Sequence, residues 1–208
     1  MQPNQDDLSR FQELRPEEVE AALIESGALM EGHFLLTSGR HSARYVEKFR
    51  LLEQPRLTSR LCREIARRFQ DERVECVVGP VTGGIILAFE TARHLGTRAV
   101  YAERGEGGKG FVFRRGFQLK PGERVLVVED IVTTGGSVLQ VLEAVREAGG
   151  EPVGVALLVD RSGGPASFPV PRVEALLSLS IESYAPGEVP AWVEQKFGPA
   201  IKPGSSRK

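Results

Sequence analysis

Residues 125–137 read Val-Leu-Val-Val-Glu-Asp-Ile-Val-Thr-Thr-Gly-Gly-Ser, and no other stretch of the 208-residue chain constrains its fold as tightly. Four consecutive apolar residues without polar alternation describe a strand buried on both faces, the pattern of a parallel sheet covered by helices. A helix-like run from Val138 to Ala148 follows, so the segment reads as strand, turn and helix. Open α/β sheets bind ligands at the carboxyl ends of their strands, which is where Glu129 and Asp130 would stand. The turn Thr133-Thr134-Gly135-Gly136-Ser137 offers backbone N–H groups, hydroxyls and a helix N-terminus, all suited to a phosphate. Two adjacent carboxylates repel a phosphate; vicinal sugar hydroxyls suit them better, with Mg2+ held nearby by the substrate's own oxygens and not by a protein metal site. The segment therefore points to a phosphorylated ribose. The competing reading is an ordinary strand-turn-helix crossover with incidental acids.

The rest of the chain continues the alternation. Strands are expected at 74–78, 98–102, 125–128 and 152–159, with helices at 84–95 and 135–148 between them, giving an α/β parallel sheet flanked by helices. Before it, Val19, Ala22, Leu23 and Ile24 have helical spacing over Pro16 to Ser26, and Leu57, Leu61, Ile65 and Phe69 mark a second amphipathic helix over Arg56 to Phe69. Two short β-prone runs, 33–37 and 43–48, flank Ser38-Gly39-Arg40-His41-Ser42 and read as a small hairpin outside the main sheet. Between Ala102 and Glu123 stand seven glycines or prolines with little burial pattern, the mark of a functional lid or a disordered segment. The tail from Pro186 to Lys208 offers only Trp192 and Phe197 as large apolar anchors and is expected to pack loosely.

A content of 41% hydrophobic and 26% charged residues suits a single domain, 1–208. A formal charge of -1 supplies no general reason to expect nucleic acid or an anionic membrane as partner. The two cysteines, Cys62 and Cys76, lack metal-ligand spacing and read as core fillers, and no signal peptide or long apolar span is visible. A reducing, cytoplasmic setting follows as the expectation. His33, His41 and His94 form no metal-type pair, so no zinc site is assigned.

Residues 125–137 resemble the signature by which type I phosphoribosyltransferases bind 5-phosphoribosyl 1-diphosphate (PRPP), and match it at every characteristic position. Four further segments resemble the orotate-specific branch of that family: Gly27 to Ser42, Gly79-Pro80-Val81-Thr82-Gly83-Gly84, Glu103 to Gly116, and Val159-Asp160-Arg161. The resemblance implies the type I phosphoribosyltransferase fold, with a hood at about 27–50 over the base pocket, a core at about 54–161 and a C-terminal extension at about 186–208. It implies transfer of 5-phosphoribosyl from PRPP to N1 of orotate, giving orotidine 5'-monophosphate and diphosphate in pyrimidine (UMP) synthesis, with Mg2+ as cofactor and a homodimer as the working form.

The same resemblance assigns roles. Glu129, Asp130, Ile131, Val132, Thr133, Thr134, Gly135, Gly136 and Ser137 would bind PRPP, together with Thr82 and Gly83 of the diphosphate loop and Arg104. Orotate would meet Ser38, Gly39, Thr133 and Arg161, whose planar guanidinium matches a carboxylate with two parallel hydrogen bonds. Asp130, Glu129 and the loop cation Lys109 would serve catalysis, with Arg104, Arg114 and Arg115 as competitors for the diphosphate. Several relatives carry a lysine where this chain has Gly83, so Mg2+ and other basic residues would have to do more here. Two rival readings share the motif: a phosphoribosyltransferase for another base, and a PRPP-sensing regulator that binds nucleic acid.

Overall fold

A computed structural model of the chain describes residues 8–203. Its centre is a six-stranded sheet in which β3 (Cys76–Pro80), β6 (Arg124–Val132) and β7 (Glu151–Asp160) are flanked by β4 (Arg98–Arg104) and β8 (Val173–Ser178), all parallel. A two-residue strand, β5 (Phe111–Val112), closes the β4 edge in antiparallel sense.

Alternate residues of one strand serve two cores. Leu126 and Val128 pack with α1 (Pro16–Glu25), α3 (Pro55–Phe69) and α4 (Gly83–Leu95), whereas Val125 and Val127 pack with α5 (Gly136–Glu147) on the other face. Strands clothed on both sides must be apolar at every position, which is why these runs lack alternation. Helix α3 starts on Pro55, whose missing N–H costs nothing in the first turn, and buries Leu61, Ile65 and Phe69 along one stripe. Phe69 is fully buried against Gly154 of β7, where a Cβ would meet its ring at 2.4 Å. Helix α5 buries Val138, Val141, Leu142 and Val145, the spacing of a single face.

Two crossings depend on glycine. A Cβ on Gly79, at the end of β3, would lie 2.0 Å from the Gly84 carbonyl oxygen, so the strand and the first turn of α4 approach as only glycine permits. Gly135 enters α5 with φ of 77°, in the left-handed region.

The hood is an antiparallel pair, β1 (Leu29–Leu35) and β2 (His41–Val46), followed by the short α2 (Lys48–Leu52). The expected runs 33–37 and 43–48 therefore lie a few residues downstream of the real strands; an irregularity between Glu31 and Phe34 offsets the register that alternation would reveal. The tail stays largely exposed but carries more structure than its composition promises. Residues 191–197 form a helix, α6, anchored by the fully buried Val193 while Trp192 stays half exposed; residues 204–208 of the tail lie outside the described residues. Beyond α6, Ile201 exchanges backbone hydrogen bonds with His33 and Leu35, adding a bridge beside β1. His41 and Tyr184 exchange two more at 2.8 Å. A ring relay reinforces this junction, with His33 Nδ1 2.9 Å from the Gly198 carbonyl and Nε2 2.7 Å from His41 Nδ1.

Strand β8 was not expected, because its pattern is only half buried and lacks a two-residue alternation. The segment 102–123 has more structure than its composition promises: β4 extends to Arg104, a 3-10 turn covers Glu106–Gly108, and β5 folds back on β4. His94 is packing, buried and hydrogen-bonded to Ser59 of α3. Both cysteines are buried, and burial pushes each thiol up to about 12, as inert core fillers require.

Candidate active site

At the carboxyl ends of β3 and β6 lies a cavity of about 240 Å3, lined by every residue from Glu129 to Val138, by Pro80 and Val81, and by Lys48, Arg104 and Phe111. The signature segment is thus brought together whole, at the sheet edge its sequence implied. No side chain caps α5, and its first three residues all line the cavity, so its orphan N–H groups are available to an anion. Thr133 and Thr134 are exposed there.

The two acids differ in state. Asp130 is buried, and its Oδ1 accepts hydrogen bonds from the Ile131 amide at 2.7 Å and from Lys48 Nζ at 2.9 Å. Lys48 Nζ also lies 2.8 Å from Oδ2, an ion-pair contact off the hydrogen-bonding direction, so Oδ2 keeps a lone pair without a hydrogen-bond donor. Glu129 is also buried and has no cation in direct contact among the described residues. Burial first, and the Asp130 charge second, push its carboxyl up to about 7, against the opposing pull of its hydrogen bond from the Asp130 amide and of Lys48 and Arg104.

This makes a pH prediction. A carboxyl raised in the folded chain is protonated below its folded value, so Glu129 gains its charge only as pH rises through about 7. PRPP affinity should therefore increase between about pH 6 and 8 beyond what the ligand's own phosphate ionisation supplies. Glu129→Gln is the control: it should remove that extra rise in a calorimetric titration, and an unchanged profile would count against a role for the Glu129 charge.

Of the four candidate loop cations, only Arg104 lines the cavity. Its guanidinium reaches Gln140 at 2.9 Å and the Ser137 hydroxyl at 3.2 Å and stacks over Phe111, which fixes it beside the phosphate turn. Arg115 pairs with Glu103 at 2.9 Å, and Arg114 and Lys109 are exposed away from the cavity, Lys109 in the turn between Gly108 and Gly110. Thr82 and Gly83 begin α4 just behind it, with a cis peptide between Val81 and Thr82. Gly83 lies against Asp130, since a Cβ there would be 1.9 Å from Asp130 Oδ2. Ser38 and Gly39 sit exposed at the tip of the hood hairpin, outside the cavity.

Arg161 follows β7, and its amide donates to the Val132 carbonyl at 2.8 Å, next to the phosphate turn. Burial holds its guanidinium below the usual value, and its Nε is buried without a hydrogen-bond partner. Asp160 does not pair with it; that carboxylate accepts the amides of Ser162 and Ala166 and orders its own loop. A half-buried guanidinium lacking a carboxylate is costly unless a ligand supplies one. Sequence reading missed Lys48, whose neighbours carry no motif, and gave no role to Phe111 within the segment Glu103 to Gly116; only the fold brings Lys48 to an acid 82 residues away.

Comparison with known proteins agrees with this geometry. Residues 50–167 match the phosphoribosyl transferase domain. An orotate phosphoribosyltransferase of Desulforamulus reducens is 50% identical over 189 residues, covering 91% of this chain and 96% of that protein. One from Thermotoga maritima is 48% identical over 188 residues, covering 90% and 97%. Among solved structures, orotate phosphoribosyltransferase of Mycobacterium tuberculosis H37Rv aligns with a TM-score of 0.64 at 28% identity, covering 79% of this chain and 97% of that one. An adenine phosphoribosyltransferase at 17% identity and a TM-score of 0.60 shares the fold. The chain belongs to the phosphoribosyl transferase domain family, within its orotate phosphoribosyltransferase branch.

Proposed function

We propose that this chain transfers 5-phosphoribosyl from PRPP to N1 of orotate, releasing diphosphate and orotidine 5'-monophosphate. The observation that carries the reading is one cavity holding both the buried acid pair, Glu129 and Asp130, and the uncapped N-terminus of α5. The turn from Thr133 to Ser137 grips the 5'-phosphate and so fixes the reacting carbon. Asp130 and Glu129 accept the ribose hydroxyls, and their charge tolerates the positive character that develops at C1 and the ring oxygen as the bond to diphosphate breaks. The ring nitrogen of orotate then forms the new bond, its attack prepared by the electronics of its own ring, with no covalent enzyme intermediate.

The reading includes Mg2+ bound chiefly through PRPP. The residues present fit that arrangement: the cavity offers two buried carboxylates, one of them paired with Lys48, beside the uncapped start of α5. Held there, Mg2+ would supply positive charge against the diphosphate as it departs. Lys109 in the loop, Ser38 and Gly39 in the hood, and a homodimer in the cytoplasm belong to the same proposal, with hood and core working as a single domain.

The test is orotate absorbance with PRPP and Mg2+, with uracil, adenine and hypoxanthine in parallel. Orotate alone should be consumed. Arg161→Ala should raise KM for orotate about thirtyfold, the worth of a charge-assisted pair of roughly 2 kcal/mol, and leave KM for PRPP nearly unchanged. Equal rises in both constants would refute the assignment of Arg161. Turnover of another base would transfer the reading to a neighbouring specificity.

A further inference from the structure

Lys48 is the first residue of α2, where a positive charge opposes the helix dipole. Its location does not serve the helix. The side chain is one-third exposed, yet its ammonium group lies against a carboxylate that is 4% exposed. It also stands beside the β3–α4 turn, because the atom it touches, Asp130 Oδ2, lies 1.9 Å from where a Gly83 Cβ would be. No side chain can grow from Gly83 into that space while Asp130 holds this rotamer. Lys48 thus fills, from the hood side, a location the turn cannot fill for itself.

Charge decides what it does there. The cavity is lined by two acids and, among the described residues, two cations. Arg104 is tied to Ser137 and Gln140 at the phosphate end. Of the two cations that line the cavity, Lys48 is the one not tied to the α5 end and so the one free to meet a diphosphate arriving at Pro80 and Val81. Without ligand, buried Asp130 needs a counterion. Once ribose hydroxyls donate to Asp130 they replace the lysine's hydrogen bond, and a flexible, strongly hydrated ammonium is free to turn to a denser negative charge.

We propose that Lys48 is an exchangeable counterion: it neutralises Asp130 in the open site and moves to the diphosphate of the substrate when the ribose takes its place. This rests on the reading that the site handles PRPP. In the exchange no covalent bond is made or broken, and the lysine keeps its proton.

The experiment uses the full chain with Lys48→Met, which keeps the side chain's reach and removes its charge, and Lys48→Arg. Calorimetry with Mg2+-diphosphate and, separately, with orotidine 5'-monophosphate distinguishes the two partners of the lysine. Lys48→Met should weaken diphosphate at least about tenfold while changing orotidine 5'-monophosphate by less than about threefold, and Lys48→Arg should recover most of the loss. In turnover, KM for PRPP should rise while KM for orotate holds. Equal weakening of both probes would mean that Lys48 acts only through Asp130, and unchanged diphosphate binding would mean that it never leaves; either overturns the proposal. Wild-type chain that binds diphosphate through Lys48 but consumes no orotate would refute the proposed reaction and leave this exchange standing.

Discussion

Replacing Asp130 by Asn is expected to lower kcat/KM for PRPP by about a hundredfold or more, the usual consequence of removing one preorganised electrostatic contact from a buried site. The amide matches the carboxylate in size and keeps an oxygen for the Ile131 amide, so the end of β6 should hold its shape. What disappears is the charge. An amide nitrogen faces ribose hydroxyls that need an acceptor, and Glu129 loses the neighbour whose charge helps keep its carboxyl high. Lys48 loses its partner but is exposed enough for water to take over. Thermal unfolding of the variant should therefore lie close to the wild-type curve while steady-state turnover collapses. Full turnover with unchanged PRPP affinity would remove Asp130 from the mechanism.

Gly79→Ala should do the opposite, weakening the fold rather than the chemistry. The added methyl would meet the Gly84 carbonyl oxygen at 2.0 Å, and both partners are backbone in a fully buried crossing. Neither can swing aside as a side chain does, so β3 and α4 must separate. Overpacking costs roughly 1–3 kcal/mol where a core can adjust, and this site cannot; a loss of about 4 kcal/mol or more is expected, a large share of the roughly 5–15 kcal/mol that holds a domain folded. Gly164→Ala is the matched control, since a Cβ there meets nothing within 4 Å and its backbone is not left-handed. Denaturant titration of the pair should show the control near wild type and the Gly79→Ala midpoint far below it. Similar midpoints for both would mean that the crossing yields more easily than its geometry suggests.

The α/β core was legible because strands buried on both faces announce themselves as unbroken apolar runs, and Val125 to Val128 did so plainly. The cavity segment proposed for phosphate and ribose was legible for a second reason: it is contiguous, so local order and spatial order coincide. Lys48 illustrates the limit. Its neighbours Glu47 and Phe49 form no motif, and its partner is a long-range product of how α2 meets β6. Edge elements were illegible for a related reason. Strand β8 is half covered, and α6 is a seven-residue helix held by one buried valine, so neither carries a strong period. Arg161 was found through its motif, but only the fold explains its state: Asp160, its sequence neighbour, is occupied by amides, which leaves the guanidinium with an unpartnered Nε.

The junction of Ile201 with β1 sets an order of events during synthesis. The ribosome makes the hood early, yet the hydrogen bonds of His33 and Leu35 with Ile201, and of His33 with Gly198, cannot form until some 165 residues more have emerged. The central strands and the signature turn are complete by then. A nascent chain can thus own a finished signature turn while the β1–β2 pair is still waiting for its last strap.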